Sequence, residues 1–108
     1  MKIAISATGG SIHARVEERF GRAPYYVVVD SETGRFGLVS NPAVLAAHGA
    51  GPQTARILAE RGVTTVLTGR VGPNAREALE QLGIGVVEGV TGVVKEAVDA
   101  YIASGRWT

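Results

Sequence analysis

The sequence contains no cysteine. That excludes disulfides, a CxxC redox pair, a cysteine-based zinc site and thiolate-held iron–sulfur clusters, so any metal must be met by histidine, carboxylate, backbone or outer-sphere contacts. An excess of one charge is missing too: 11 basic against 10 acidic residues leave a formal charge of +1, with no run of like charges. Such a balance gives no nucleic-acid or membrane footprint, and charge names no partner. Long apolar runs are also lacking. The opening MKIAISATGG turns to glycine before it could form a signal-peptide core or a membrane span, so a cytoplasmic location is expected. There is no GxxxxGK[ST], and no GxGxxG follows a strand, so no nucleotide is expected. Nor does IAISATGG carry the carboxylates that a two-metal nuclease needs.

What is present reads as one small α/β domain. A soluble chain of 108 residues buries roughly 65% of the surface it exposes when unfolded, enough for one core. Residues 2–6, KIAIS, are β-like and run into a TGGS turn. A long loop then extends to Pro24. YYVVVD at 25–30 is a nearly continuous run of β-formers, as expected of a strand covered on both faces. SETG reads as a hairpin turn, and RFGLVSN sets Phe36, Leu38 and Ser40 against Arg35, Gly37 and Val39.

After Asn41-Pro42 the period changes. A helix is expected over 53–61, closed by Gly62, with a β-branched strand at 63–68 behind it. Pro73 stands at the first position of a second helix whose Ala75, Ala78, Leu79 and Leu82 share a face. IGVVE gives a last strand. Thr91 is placed to cap a third helix with an apolar stripe of Val94, Ala97, Val98, Tyr101 and Ile102. The domain should span 1–103, with 104–108 as a tail. The hairpin makes the second strand antiparallel to its neighbours, and the helical crossovers make the strands near 63 and 84 parallel. A mixed five-stranded sheet in the ribonuclease H-like order 3-2-1-4-5, flanked by helices, satisfies these rules. Its first and fourth strands form a switch point, where ligands favour binding.

Three segments should converge there: the loop from Thr8 to Arg22, TGRVGPNA at 68–75, and AHGAG at 47–51. Glycines let backbone N–H groups approach a ligand, and helix N-termini add partial positive charge, so these turns can hold an anion. They also read as ordinary connectors. Arg19, Arg22 and Arg70 could supplement the charge. Ser6, Thr8 and Ser11 find no base at a productive spacing, which disfavours a hydrolase. Of the two histidines, His13 lies among polar residues and should face solvent. His48 has space between small residues beside an anion-friendly helix start; it either meets a ligand or hydrogen-bonds its own loop. Phe20 fits the core.

At these residues the sequence resembles the dinitrogenase iron–molybdenum cofactor biosynthesis family, which includes NifX, NafY and the C-terminal part of NifB. The matching stretches are MKIAIS, FGRAPYYVVVD, NP at 41–42, HGAG at 48–51, LTGRVGPNA at 67–75 and LGIGVVEG at 82–89. The resemblance implies a ribonuclease H-like fold and a carrier of metal–sulfur clusters rather than an enzyme. It also implies an iron–molybdenum or other iron/molybdenum–sulfur cargo, and a cluster-donor or cluster-acceptor protein as partner. Many members have histidine immediately before the first FG, where this chain has Arg19. Arginine cannot coordinate a metal but can pair with an anionic cluster, a sulfide edge or an oxyanion. The resulting candidate set is Thr8, Arg19, Arg22, Gly49, Gly51, Gly69 and Asn74 around an anionic cargo, with His48 as metal ligand. The alternative is a cluster-free interaction or regulatory module that binds a protein partner or a simple oxyanion.

Overall fold

The computed structural model describes residues 1–45 and 48–105. In chain order it has β1 (Lys2–Ala7), β2 (Tyr25–Asp30), β3 (Phe36–Ser40), a 3₁₀ turn (Pro42–Leu45), α1 (Ala50–Glu60), β4 (Val63–Leu67), α2 (Pro73–Gln81), β5 (Gly85–Val87) and α3 (Val94–Ser104). The sheet order is β3-β2-β1-β4-β5. β1 pairs antiparallel with β2, Ile3 opposite Val29, and parallel with β4, Ala4 opposite Val66. β2 and β3 are antiparallel, while β4 and β5 are parallel. The expected architecture and strand directions are therefore those observed.

Alternation along the central strands divides the core in two. Ala4, Tyr26 and Val66 face one side, where they meet Leu58 and Ala55 of α1 and Leu79 and Ala75 of α2. Ile3, Ile5, Val27, Val29 and Leu67 face the other, against Val94 and Val98 of α3. Each helix buries positions about four apart: Ala50, Thr54 and Leu58 in α1, Ala75 and Leu79 in α2, Val94 and Val98 in α3. That spacing is the inward stripe of a 3.6-residue period. Fully buried side chains such as Ile3, Ile5, Leu58, Leu67 and Leu79 each contribute about 1.5–3 kcal/mol of transfer free energy.

Local details differ from the pattern-based reading. α1 begins at Ala50, three residues earlier than expected, with Pro52 inside its first turn, where a missing N–H costs no helical hydrogen bond. Thr91 does not cap α3. The N–H groups of Val94 and Lys95 are instead taken by the carbonyls of Ala14 and Ile12, at 2.9 Å each, so the first loop supplies the cap. On β3 only Val39 is buried. Phe36 and Leu38 remain 56% and 47% exposed, as β3 is an edge strand of the sheet. Leu82 falls at the end of α2 and is exposed rather than inward. Of the expected tail, Ser104 closes α3 and Gly105 takes the left-handed cap position, and 106–108 lie outside the described residues.

Candidate functional site

β1 and β4 run side by side, and the chain leaves their C-terminal ends in opposite directions across the sheet. Just beneath, the buried hydroxyls of Ser6 and Thr68 lie 2.7 Å apart. Ser6 Oγ donates its hydrogen to the Glu17 carbonyl at 2.7 Å, so Thr68 is the donor in their shared bond. This ties the first loop to the exit of β4. Further out, the Arg70 N–H donates to the Glu18 carbonyl at 2.7 Å and the Phe20 N–H to the Arg70 carbonyl at 3.0 Å, a short parallel bridge that sets Arg19 beside Arg70. Gly69 is required here, since a Cβ would stand 2.4 Å from the Glu18 carbonyl oxygen.

Past Phe20 the chain turns at Gly21, whose positive φ of 89° favours glycine. Its N–H donates to the Tyr26 hydroxyl at 2.9 Å, and the rings of Phe20 and Tyr26 meet edge to face with centroids 5.7 Å apart. Burial pushes the Tyr26 phenol above its ordinary pKa of 10.0. Gly21 lies against the backbone of Gly51 in the first turn of α1, and Gly51 lies against Ala75 in the first turn of α2, where a Cβ would come within 2.6 Å of the Ala75 Cβ. The absence of these side chains brings two helix N-termini together.

Between those termini is an open cavity of about 310 Å³, lined by Phe20, Arg22, His48, residues 49–52 and residues 72–75. Neither helix has a side-chain cap on its first turn or an acidic residue in it. Among the described residues, no acceptor meets the N–H groups of Ala50, Gly51, Asn74 or Ala75. Among the described residues, no carboxylate, hydroxyl or thiol lines the cavity. Arg22, which lines the cavity, donates from Nη1 to the Val44 carbonyl at 3.4 Å, so its guanidinium reaches the 3₁₀ turn. A second recess of about 330 Å³, lined by Arg19, Phe20, Arg22, Arg70, Val71 and Gly72, adjoins the first through Phe20, Arg22 and Gly72. The lining is thus cationic by backbone dipole and by side chain, a setting for an anion.

The predicted residues separate clearly. His48, Arg22, Gly49, Gly51 and Asn74 line one cavity, and Arg19 lines the adjoining recess. Thr8 and Gly69 line neither: the Thr8 N–H is spent on the Arg15 carbonyl at 3.0 Å, and Gly69 serves the packing against Glu18. His13 is exposed and Phe20 is buried, as expected. Among the described residues no group of three or more His, Asp or Glu could hold a metal ion. A larger depression of about 400 Å³ lies at the opposite end of the strands, around Lys2, Arg35 and Arg61, away from the switch point.

One organising residue escaped the sequence reading. Asn41 is buried, and its Nδ2 donates to the carbonyl of Ala23 at 2.9 Å and, at a longer 3.5 Å, to that of Gly21. Its Oδ1 accepts from the Ala43 N–H and from Thr54 Oγ1, each at 3.2 Å. One side chain thereby joins the Arg22 turn, the 3₁₀ turn before His48 and the start of α1. An asparagine at a strand end immediately before proline was the available signal.

With this geometry in hand, the comparisons with known proteins are consistent throughout. Residues 1–104 match the family described as "Dinitrogenase iron-molybdenum cofactor", and the chain belongs to that family. It is 40% identical to the orange protein of Desulfovibrio gigas, whose apo form has been solved; the likeness covers 95% of this chain and 88% of that one, with a TM-score of 0.91. A Thermotoga protein described as a NifB candidate of the DUF35 family, solved by NMR, is 36% identical over 97% of this chain and 89% of its own, with a TM-score of 0.83. An uncharacterized protein of Methanocaldococcus jannaschii is 29% identical over 105 residues, 94% of this chain and 86% of its own length. No helix among the described residues is long and apolar enough to cross a membrane.

Proposed function

We propose that the chain is a non-enzymatic carrier that receives an anionic metal–sulfur cluster, iron–molybdenum-cofactor-like or a precursor of one, in the cavity between the N-termini of α1 and α2. The observation that carries this reading is the pair of uncapped helix N-termini facing one cavity with Arg22 and His48 at its rim and no carboxylate in its lining. Unsatisfied N–H groups and the helix dipoles favour an anion there. His48 meets the cargo as a ligand or hydrogen-bond donor. Gly49, Gly51 and Asn74 present backbone to it, and Arg22 closes the open side, while Arg19 stands in the adjoining recess at its edge. Thr8 and Gly69, which line neither recess, act on the carrier only through the two loops they belong to. Family membership supports a cofactor-biosynthesis setting, with a cluster-donor or cluster-acceptor protein as partner and the cytoplasm as location. Binding rather than turnover fits a lining without nucleophile or carboxylate base beside His48.

The test is elemental analysis for iron, molybdenum, copper and sulfide on protein purified anaerobically from its own host, beside a His48→Ala variant. His48 is exposed, so the variant should fold with stability within about 0.5 kcal/mol of the parent. Stoichiometric metal in the parent, lost in the variant, is the expected result. Metal-free protein from cells that make such clusters would overturn the carrier reading. It would favour a cluster-free module for a protein partner or simple oxyanion, the reading to which Arg19 in place of the family's frequent histidine already points.

A further inference from the structure

Arg19 and Arg70 are an unusual pair to place together. The parallel bridge between them sets their backbones in register, so both side chains leave the same side of the short ladder. Like charges on paired positions repel and are ordinarily selected against unless a counter-charge arrives. Among the described residues no acidic group pairs with either guanidinium: Glu18 meets the ladder through its backbone carbonyl and not its carboxylate, and Glu88 is ion-paired with Arg76. Both arginines are exposed. Close packing of Gly69 on the Glu18 backbone holds the two backbones together there.

The recess they line differs from the cavity beside it. It has guanidinium groups over an apolar floor of Phe20 and Val71, whereas the cavity offers backbone N–H groups and His48. A single small anion on two exposed guanidinium groups stays largely hydrated and is held weakly. A polypeptide segment with several carboxylates engages both arginines at once and covers the apolar floor, and the linked contacts reinforce one another. The shared walls, Phe20, Arg22 and Gly72, put such a segment at the mouth of the cavity.

We propose that Arg19 and Arg70 form a docking clamp for an acidic segment of the protein that loads or unloads the cavity. This rests on the carrier reading for the cavity itself. The clamp explains why the two guanidinium groups lie on the rim rather than inside, since a partner held there faces the cargo without displacing it.

The experiment is an NMR titration of the isotopically labelled chain and of an Arg19→Gln/Arg70→Gln variant, with two probes: a short polyglutamate peptide and tetrathiomolybdate. Both substitutions are at exposed positions and preserve the hydrogen-bonding backbone. The peptide should shift the amides of residues 19–22 and 70–72, weaken with added salt, and lose about tenfold in affinity in the variant, the loss expected of two exposed ion pairs. Tetrathiomolybdate should shift residues 49–51 and 74–75 and bind parent and variant alike. A peptide that shifts nothing at the ladder, or binds the variant equally well, overturns the clamp and leaves the cavity reading intact. Loss of tetrathiomolybdate binding in the variant also overturns it, by making the arginines part of the cargo site. Peptide binding with no tetrathiomolybdate response defeats the carrier reading and with it the clamp's role in exchange.

Discussion

Replacing Asn41 with alanine tests whether the cavity depends on a single buried amide. The substitution removes the acceptor of the Ala43 N–H and the 2.9 Å donor to the Ala23 carbonyl, while the Thr54 hydroxyl keeps its 2.7 Å bond to the Ala50 carbonyl. Two buried backbone groups are orphaned, each costing about 1–3 kcal/mol, and water entering the vacated space relieves part of that. A loss of about 2–4 kcal/mol follows, which for a domain of this size lowers the melting temperature by roughly 10–20 °C. The functional consequence should exceed the thermodynamic one, because the same side chain positions the Arg22 turn and the start of α1. The assay is urea denaturation together with tetrathiomolybdate affinity, measured well below the midpoint so that the folded state alone is compared. Ile3→Ala is the control: it lies on the α3 side of the sheet, is fully buried, and should lose about 2–5 kcal/mol. The Asn41 variant should bind at least about tenfold more weakly than the parent, equivalent to 1.4 kcal/mol, and the Ile3 variant should bind normally. Equal binding by parent and Asn41→Ala, or an equal loss in both variants, would refute this reasoning.

Two glycines should rank by what their missing side chains would meet. Gly51→Ala places a Cβ 2.6 Å from the Ala75 Cβ, and a small separation of α1 from α2 relieves it at about 1–2 kcal/mol, since the helix gains from alanine. Gly69→Ala meets backbone atoms of Glu18 at 2.4–2.9 Å, which cannot rotate away, so its urea midpoint should fall further; the reverse order would show that the ladder is loose. Tyr26 should make the fold sensitive to alkali. The unfolded phenol ionises near pH 10 whereas burial raises the folded one above that, so the unfolded state releases a proton that the folded state keeps, and stability falls as pH rises past about 10. Denaturation midpoints between about pH 8 and pH 11 should show this slope in the parent and not in Tyr26→Phe; an unchanged slope in the variant would assign it to another group.

The sheet was legible because its signals are local. β-branched runs, a hairpin turn, Pro73 at a helix start and glycines at helix ends fix element types, and connection rules then leave one strand order. The boundaries that went astray depend on distant parts of the chain. The start of α3 is capped by the carbonyls of Ile12 and Ala14, about 80 residues earlier, which no pattern around Thr91 could reveal. The exposure of Phe36 and Leu38 follows from the place of β3 at the sheet edge, not from their alternation. The cavity was half legible: glycine turns pointed to helix N-termini, and His48 stood out by its neighbours. Asn41 did not, because its four bonds reach Gly21, Ala23, Ala43 and Thr54, and only Ala43 is near in sequence.

The kind of hold this lining provides bears on whether its occupant stays. A helix N-terminus contributes about 0.3–1 kcal/mol to binding an anion, up to ~2 when partly buried, and a charge-assisted bond from Arg22 about 1.5–3 kcal/mol. With two termini the cavity supplies on the order of 2–7 kcal/mol, which places a dissociation constant between tens of millimolar and roughly ten micromolar. At a typical association rate of about 10⁶ M⁻¹s⁻¹ the occupant leaves within roughly 100 milliseconds at the tight end and under a millisecond at the weak end. Such lifetimes suit a cargo handed from one protein to another and would leave a resident cofactor mostly unbound. A bond from His48 would lengthen them. Permanent retention would need a second strong ligand beside it, and among the described residues the cavity lining has no cysteine, carboxylate or further histidine to supply one.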